Sequence, residues 1–447
     1  MKLNLSLFLL FYLSLNLFAR NPLEPTYYAA PPRLAGVSPE MNTAGYWIAR
    51  HPYPDSLIMT SKQISKYSSR TNPYANISST STFSTVFSGS TVKSQIKSLL
   101  STLSGTGKYD STGAKVSQAL RDSLRRNANI DGIPLRCKVR FGFPITLARQ
   151  RLAPGIVNLN KEVLDIEFDE MQNSGYDIGT PTMFYHTSKD GKWVYGACAT
   201  SIGWYLKSEV CFLSQTEFVH YLSAAQKVVS LKARADIWTN AEATKYLTYC
   251  RMGTAFPLLG ETELYYRIQI PVKDSLSIAY IAKEDARIGF LPYTPRNVYK
   301  QAFKMLNMPY GWGDTEGDYD CSSLIQRIFA SFGISIPRNG LQQAKATKLL
   351  HSFGAVEKEA KRDSIIINKG IPAISLLRMN GHIMLYIGET GGKAYALHDT
   401  WGFRKPGDNG ENEVYVINRT VVSDLYLSKG SKKGSLLSRL THLTAIR

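Results

Sequence analysis

The chain has 447 residues, which at roughly 150 residues per domain predicts about three domains. Hydrophobic residues make up 44% of it, enough for real cores, so a globular class is expected and a disordered one is excluded. The formal net charge of +18 fits an acidic polymer such as cell-wall peptides, anionic glycans or lipid headgroups, although charge alone decides little.

Taken in chain order, residues 1–19 combine Lys2, an apolar run and the small residue Ala19, the layout of a secretory signal peptide. An uncleaved anchor is the alternative, and no Cys ends the run to carry a lipid. Export disfavours nucleic acid as a partner. It also leaves at least one of Cys137, Cys198, Cys211, Cys250 and Cys321 unpaired, since the count is odd. Five cysteines are too few for a disulfide scaffold.

A Pro-rich extended stretch follows the signal. Residues 20–130 then read as a helical and loop region. Within it, residues 78–94 hold eleven Ser or Thr in seventeen and are expected to form a mobile loop. Val116, Leu120 and Leu124 space a helix over 114–127. From 131 to 225, and again from 226 to 292, short β segments alternate with turn signals, each block the size of a small β-barrel. From 293 onward the texture changes to helices followed by strands, an α+β catalytic-type domain. Its first helix carries Val298, Ala302 and Met305 on one side. Its second, over 322–332, presents Leu324, Ile325, Ile328, Phe329 and Phe332 and stops at Gly333.

Cys321 stands at the head of that second helix, behind a Gly- and Asp-rich loop, with Asp320 as the expected N-cap. Unpaired amides and the helix dipole favour an anion there, so a lowered thiol pKa is expected. A thiolate nucleophile needs a base. His382 opens one β run and His398 closes the next, with "GETGG" (388–392) between them. A turn centred on Thr390 would oppose the two imidazoles directly, so that one takes the thiol proton and the other orients it. Zinc held by Cys321, His382 and His398 is the weaker reading, since no close ligand pair exists.

The motifs "PYGWGDTEGDYDCSSLIQRIFASFGISIPRNGLQQ", "GHIMLYIG" and "ALHDTWG" resemble the NlpC/p60 family of papain-like cysteine peptidases. The stretch over 168–209 resembles the first of two bacterial SH3-like domains in a four-part subgroup of that family, and the next β block would be the second. The resemblance implies two SH3-like β-barrels (131–225 and 226–292), a papain-like peptidase domain (293–447) and a mixed N-terminal domain (20–130). It implies hydrolysis of the γ-D-glutamyl to diamino-acid bond in peptidoglycan stem peptides. Cys321 would be the nucleophile, His382 the base and His398 the third polar residue. Asp320 and Tyr310 would bind the free amine of the substrate's L-Ala, and Ser322 would line the site. This chain departs from the family in Ser323 and Asp314, where Gly is usual. No cofactor or metal is called for, and the expected protein is a monomer in the periplasm or cell envelope of a bacterium. A thiol acyltransferase or amidase on the same fold, or an inert wall-binding protein, are the competing readings.

Overall fold

The computed structural model describes residues 27–71, 83–104, 109–163, 165, 167–407 and 412–447. The expected signal peptide therefore lies outside the described residues, as do residues 78–82 of the Ser/Thr-rich stretch.

The chain opens with β1 (Tyr27–Ala29), α1 (Ala44–Arg50), α2 (Ser61–Thr71), β2 (Val86–Ser88), α3 (Gly89–Ser101) and α4 (Gln118–Asn127). Part of the stretch expected to be a loop is thus ordered as β2 and the start of α3. Its composition conceals a helical pattern, for Val92, Ile96 and Leu100 recur every fourth residue and all are buried. Ser88 caps the helix through the Thr91 amide. α4 begins later than expected, at a Ser117 cap.

The first β unit comprises β3 (Arg136–Lys138), β4 (Arg140–Pro144), β5 (Ala148–Arg151), β6 (Gln172–Tyr176), β7 (Thr182–Thr187), β8 (Trp193–Ala197), β9 (Ile202–Leu206) and β10 (Val210–Leu213). β4 to β10 form one sheet in the order β10-β4-β7-β8-β9-β5-β6, while β3 pairs with β2. A helix that sequence reading missed, α5 (Gln215–Leu222), follows. Ser214 and Glu217 close a capping box at its start, a signal legible in the residues themselves. The second unit holds β11 (Lys227–Ser230), β12 (Arg234–Trp238), β13 (Tyr246–Arg251), β14 (Ala255–Glu261), β15 (Tyr265–Val272), β16 (Ser275–Ala282) and β17 (Ala286–Ile288). They order as β13-β12-β16-β15-β14-β11-β17.

The last unit runs α6 (Pro295–Lys304), α7 (Cys321–Ala330), α8 (Gly340–Ala346), β18 (Lys348–Ser352), α9 (Glu359–Lys369), β19 (Ser375–Met379), β20 (His382–Thr390), β21 (Lys393–Pro406), β22 (Asn412–Asp424), α10 (Leu436–Arg439) and β23 (Leu440–Ala445). Its sheet order is β1-β22-β21-β20-β19-β23-β18, so the first described strand of the chain closes one edge of the last unit's sheet. α7 buries Leu324, Ile325, Ile328 and Phe329 in one core with Leu385 and Leu397 of that sheet.

The region between 27 and 133 divides between two of these cores. Trp47, Ile64 and Tyr67 join the core beneath α7, whereas Val92, Ile96, Leu100 and Leu124 join that of the first β unit with Phe141, Phe143 and Trp204. α1 is stapled to the β20–β21 hairpin by Tyr46, whose hydroxyl lies 3.0 Å from Thr390 Oγ1. Trp47 meanwhile packs over Gly388, where a Cβ would come within 3.1 Å of its ring.

Candidate active site

The loop before α7 is shaped by the two β units lying on it. Gly313, Asp314, Glu316 and Gly317 all take left-handed backbone angles. A side chain at Gly313 would meet Gln172 at 2.8 Å, and one at Gly317 would meet the Tyr249 hydroxyl at 1.9 Å, so these glycines are where the first and second units touch the loop. Gln172 donates to the Gly313 carbonyl at 3.0 Å and Tyr249 to that of Glu316 at 3.0 Å.

That support fixes Asp320 as the N-cap of α7. Its Oδ1 accepts from the amides of Ser322 and Ser323, and the Ser323 hydroxyl returns a bond from the Asp320 amide, completing a capping box. Cys321 follows in the first turn. It faces a cavity of about 820 Å³ lined also by Tyr310, Asp320, Ser322, Arg338 and His382. The five residues expected from sequence at the nucleophile, the base and the substrate pocket therefore share one cleft. His398 sits behind it, 1% exposed.

The geometry of the histidines differs from the expected direct opposition. The turn falls on Gly391 and Gly392, both left-handed, and pairs Thr390 with Lys393. Continued without interruption, this register would set His398 opposite Leu385, on the other face from His382. A β-bulge at Ile387 inserts one residue, so that Tyr386 pairs with Ala396 and Leu385 with Leu397. His382 and His398 then share a face as diagonal neighbours, and His382 Nε2 lies 2.9 Å from His398 Nδ1. His398 Nε2 in turn lies 2.9 Å from the Ser423 hydroxyl on β22, a partner that sequence reading missed because it lies on a separate strand. In this chain of bonds the ring nitrogen of His382 left for a thiol proton is Nδ1.

For His382 Nδ1 to accept a proton, His398 must carry its own on Nε2 and donate it to Ser423, and Ser423→Ala removes that acceptor and lets the tautomer order reverse. Leaving a buried N–H unpaired costs about 1–3 kcal/mol. The variant is expected to lower kcat by roughly tenfold, the kinetic equivalent of about 1.4 kcal/mol. Unchanged kcat would show that Ser423 does not orient the pair.

The thiol also departs from expectation. Burial pushes Cys321 up to about 12 rather than down, and the adjacent Asp320 carboxylate adds to the rise. The Ile383 amide and the Arg338 guanidinium oppose it, without offsetting the desolvation. Burial also drops His382 to about 4, and His398 falls well below the usual imidazole range. Both directions favour a neutral thiol beside a neutral imidazole in the empty cleft.

Nor does Asp320 await a cation. Arg338 grips it bidentately, Nη1 to Oδ1 at 3.0 Å and Nη2 to Oδ2 at 2.6 Å, and Nη1 also donates to the Ser322 hydroxyl at 2.8 Å. Arg338 was overlooked in the sequence because nothing local marks it as facing Asp320. Tyr310 is half-buried at the cleft wall, its hydroxyl held protonated by burial, with the Asp320 carboxylate nearby. Glu170 of the first β unit gives the cleft a second carboxylate. Among the described residues, no group of three or more His, Cys, Asp or Glu is placed to hold a metal ion, and all five cysteines are free thiols.

Comparison with known proteins places these elements. A sequence model of the NlpC/P60 family matches residues 307–403, and one of the SH3 domain (SH3b1 type) matches residues 158–205. A bifunctional muramidase/DL-endopeptidase of Bacillus subtilis is 32% identical over 105 residues, 23% of this chain and 29% of that protein. A γ-D-glutamyl-L-lysine dipeptidyl-peptidase of Bacillus cereus is 27% identical over 172 residues, 36% of this chain and 47% of its own length. The chain thus spans less than half of each of these curated relatives. A solved structure of an NlpC/P60 endopeptidase from Photobacterium damselae subsp. piscicida superposes with a TM-score of 0.75 at 19% identity, over 94% of this chain and 99% of that one. At that identity the likeness establishes a shared multidomain fold.

Proposed function

We propose that this chain is a cysteine endopeptidase of the NlpC/P60 type that hydrolyses the γ-D-glutamyl to diamino-acid bond of peptidoglycan stem peptides. The observation that carries the reading is Cys321 at the head of α7, facing the same cleft as a His382 whose far nitrogen is pinned by His398. His382 Nδ1 takes the thiol proton as sulfur attacks the γ-carbonyl. The tetrahedral intermediate expels the amine of the diamino acid, which receives that proton, and water then releases the glutamyl acid from the thioester. The dipole of α7 favours the charge that develops there. The basic surface and the wall-directed chemistry suit an exported, cell-wall-associated protein.

Incubating the protein with purified sacculi tests this directly. Fragments whose masses correspond to cleavage between D-Glu and the diamino acid are expected. Cleavage at the muramyl amide, transfer of the acyl group to an added amine in preference to water, or no cleavage of either sacculi or free stem peptides would overturn the assignment.

The finer substrate choice follows from the walls of the cleft. Leu152, Asn173 and Ile202 of the first β unit, Ser98 and Leu99 of α3 and Thr102 just after it wall the cleft together with Tyr310. Glu170 and Tyr310 place a carboxylate and a phenol on the cleft wall where a free L-Ala amine would lie, while Asp320 is held by Arg338. A free L-Ala tripeptide is therefore expected to be cut at least about tenfold faster in kcat/KM than the same peptide on muramic acid, a difference of about 1.4 kcal/mol. Because Asp320 already pairs with Arg338, Asp320→Asn is expected to slow both substrates alike. Equal rates for the two substrates in the parent protein would remove the free-amine preference.

A further inference from the structure

Three arginines and three aspartates are buried together behind the nucleophile. Arg338 bridges Asp320 and Asp314, reaching Asp314 Oδ1 at 3.0 Å. Asp314 Oδ2 accepts from Arg251 Nη1 at 3.1 Å. Arg251 closes on Asp177 through Nε and Nη2, and Arg327 Nη2 reaches Asp177 Oδ2 at 2.6 Å. None of the six side chains is more than 13% exposed. Their charges cancel.

The six come from both β units and from the last unit. Asp177 belongs to the first β unit and Arg251 to the second, while Asp314 lies in the loop, Asp320 caps α7 and Arg327 lies on it. Arg338 precedes α8, and its Nε donates to the Ser174 hydroxyl of β6 at 2.8 Å. Asp314 stands where the family usually has glycine, and it takes the left-handed backbone (φ 63°) that would normally favour one. A carboxylate kept there despite the strain is explained by the two guanidinium groups it receives.

Buried ion pairs are a weak source of net stability, since apolar replacements of similar volume often do as well. What this network supplies is position and charge balance. Asp320 directly precedes Cys321, and its charge opposes a developing thiolate. The other polar groups facing that sulfur are Arg338, His382 of β20, Tyr310 of the loop and Asp399 of β21. Of these, Arg338 alone carries a fixed positive charge.

We propose that Arg338 is a positioning residue for Cys321, holding Asp320 against the head of α7 and cancelling its charge where the thiolate forms. Asp314 seats Arg338 and so ties the nucleophile to the docking of both β units. The inference rests on Cys321 being the nucleophile, and its test reads the thiol itself without a substrate.

The rate of iodoacetamide alkylation at Cys321, followed by peptide mass spectrometry from pH 6 to 10, is measured in the full chain. Arg338→Met is expected to slow alkylation at pH 8 by at least tenfold and to move the profile to higher pH. Arg338→Lys, which keeps the charge and loses the fork, is expected to recover most of the rate. The double variant Asp320→Asn/Arg338→Met removes both charges and is expected to react faster than Arg338→Met alone. Asp314→Asn, a milder change that remains informative should Arg338→Met not fold, is expected to slow alkylation three- to tenfold. Alkylation of Arg338→Met or Asp314→Asn at the parent rate, or a double variant no faster than Arg338→Met, would overturn the proposal. If alkylation follows this pattern while sacculi stay intact, the positioning role stands and the proposed substrate falls.

Discussion

Cys321→Ser is expected to lower kcat/KM on stem peptides by about 10,000-fold or more, the scale seen when a covalent nucleophile is removed. The melting temperature should stay within about 2 °C, because the change replaces one small group with another beside a cavity. The remaining activity has nowhere to come from. Cys137, Cys198, Cys211 and Cys250 are no more than 2% exposed. Burial holds Cys211 up at about 11 and raises Cys250 further still. A hydroxyl at position 321 would be an even weaker acid in the same site, with only a neutral imidazole to accept its proton. Cys321 should also be the one thiol that a small alkylating reagent reaches in the folded protein. Its labelling is expected to be slow at neutral pH and to quicken with each unit of rising pH. More than a few per cent of parental activity in Cys321→Ser, measured on a preparation free of parent enzyme, would remove Cys321 from the mechanism.

How far the sequence carried this picture can be traced through single residues. α7 was legible because its apolar face, its Asp320 cap and its terminating Gly333 are all local signals within one element. The two histidines were legible as a pair because a Gly-rich turn between two apolar runs specifies a hairpin. Their register was not, since a bulge at Ile387 leaves no mark in composition and changes which face every later residue occupies. Helix α3 was hidden because Ser and Thr dominate its exposed faces, while its three buried apolar side chains, Val92, Ile96 and Leu100, sit too sparsely to stand out. The Cys321 thiol was misjudged for a different reason. A helix N-terminus favours an anion, but desolvation and an adjacent carboxylate are set by tertiary packing and here outweigh the dipole. The same holds for Asp320. Its partner Arg338 lies 18 residues away, and only the fold brings the guanidinium onto it.

The neutral resting pair leads to the second large effect. With Cys321 near 12 and His382 near 4, the proton stays on sulfur in the empty cleft, and His382 must act as a general base while the bond to carbon forms. His382→Gln keeps a donor toward His398 but removes the base. It is expected to lower kcat by about 100- to 10,000-fold. In the parent protein kcat/KM requires neutral His382, so activity should be lost as pH falls through about 4 and should show no ionisation of that residue between 6 and 8. Stability carries the opposite side of the same proton. His382 and His398 are both depressed below their unfolded values, so between about pH 6.5 and 4 the unfolded chain binds protons that the folded one refuses. Their contribution is therefore complete above about pH 6.5 and declines as pH falls, by at most about 1.4 kcal/mol per unit for each histidine. Thermal melting should consequently drop from pH 6.5 toward 4 in the parent protein, and less steeply in His382→Gln, which has one depressed imidazole fewer. Activity lost on the acid side with an apparent pKa between 6 and 8, at pH values where melting is unchanged, would mean that His382 ionises in its ordinary range and is not the depressed base described here.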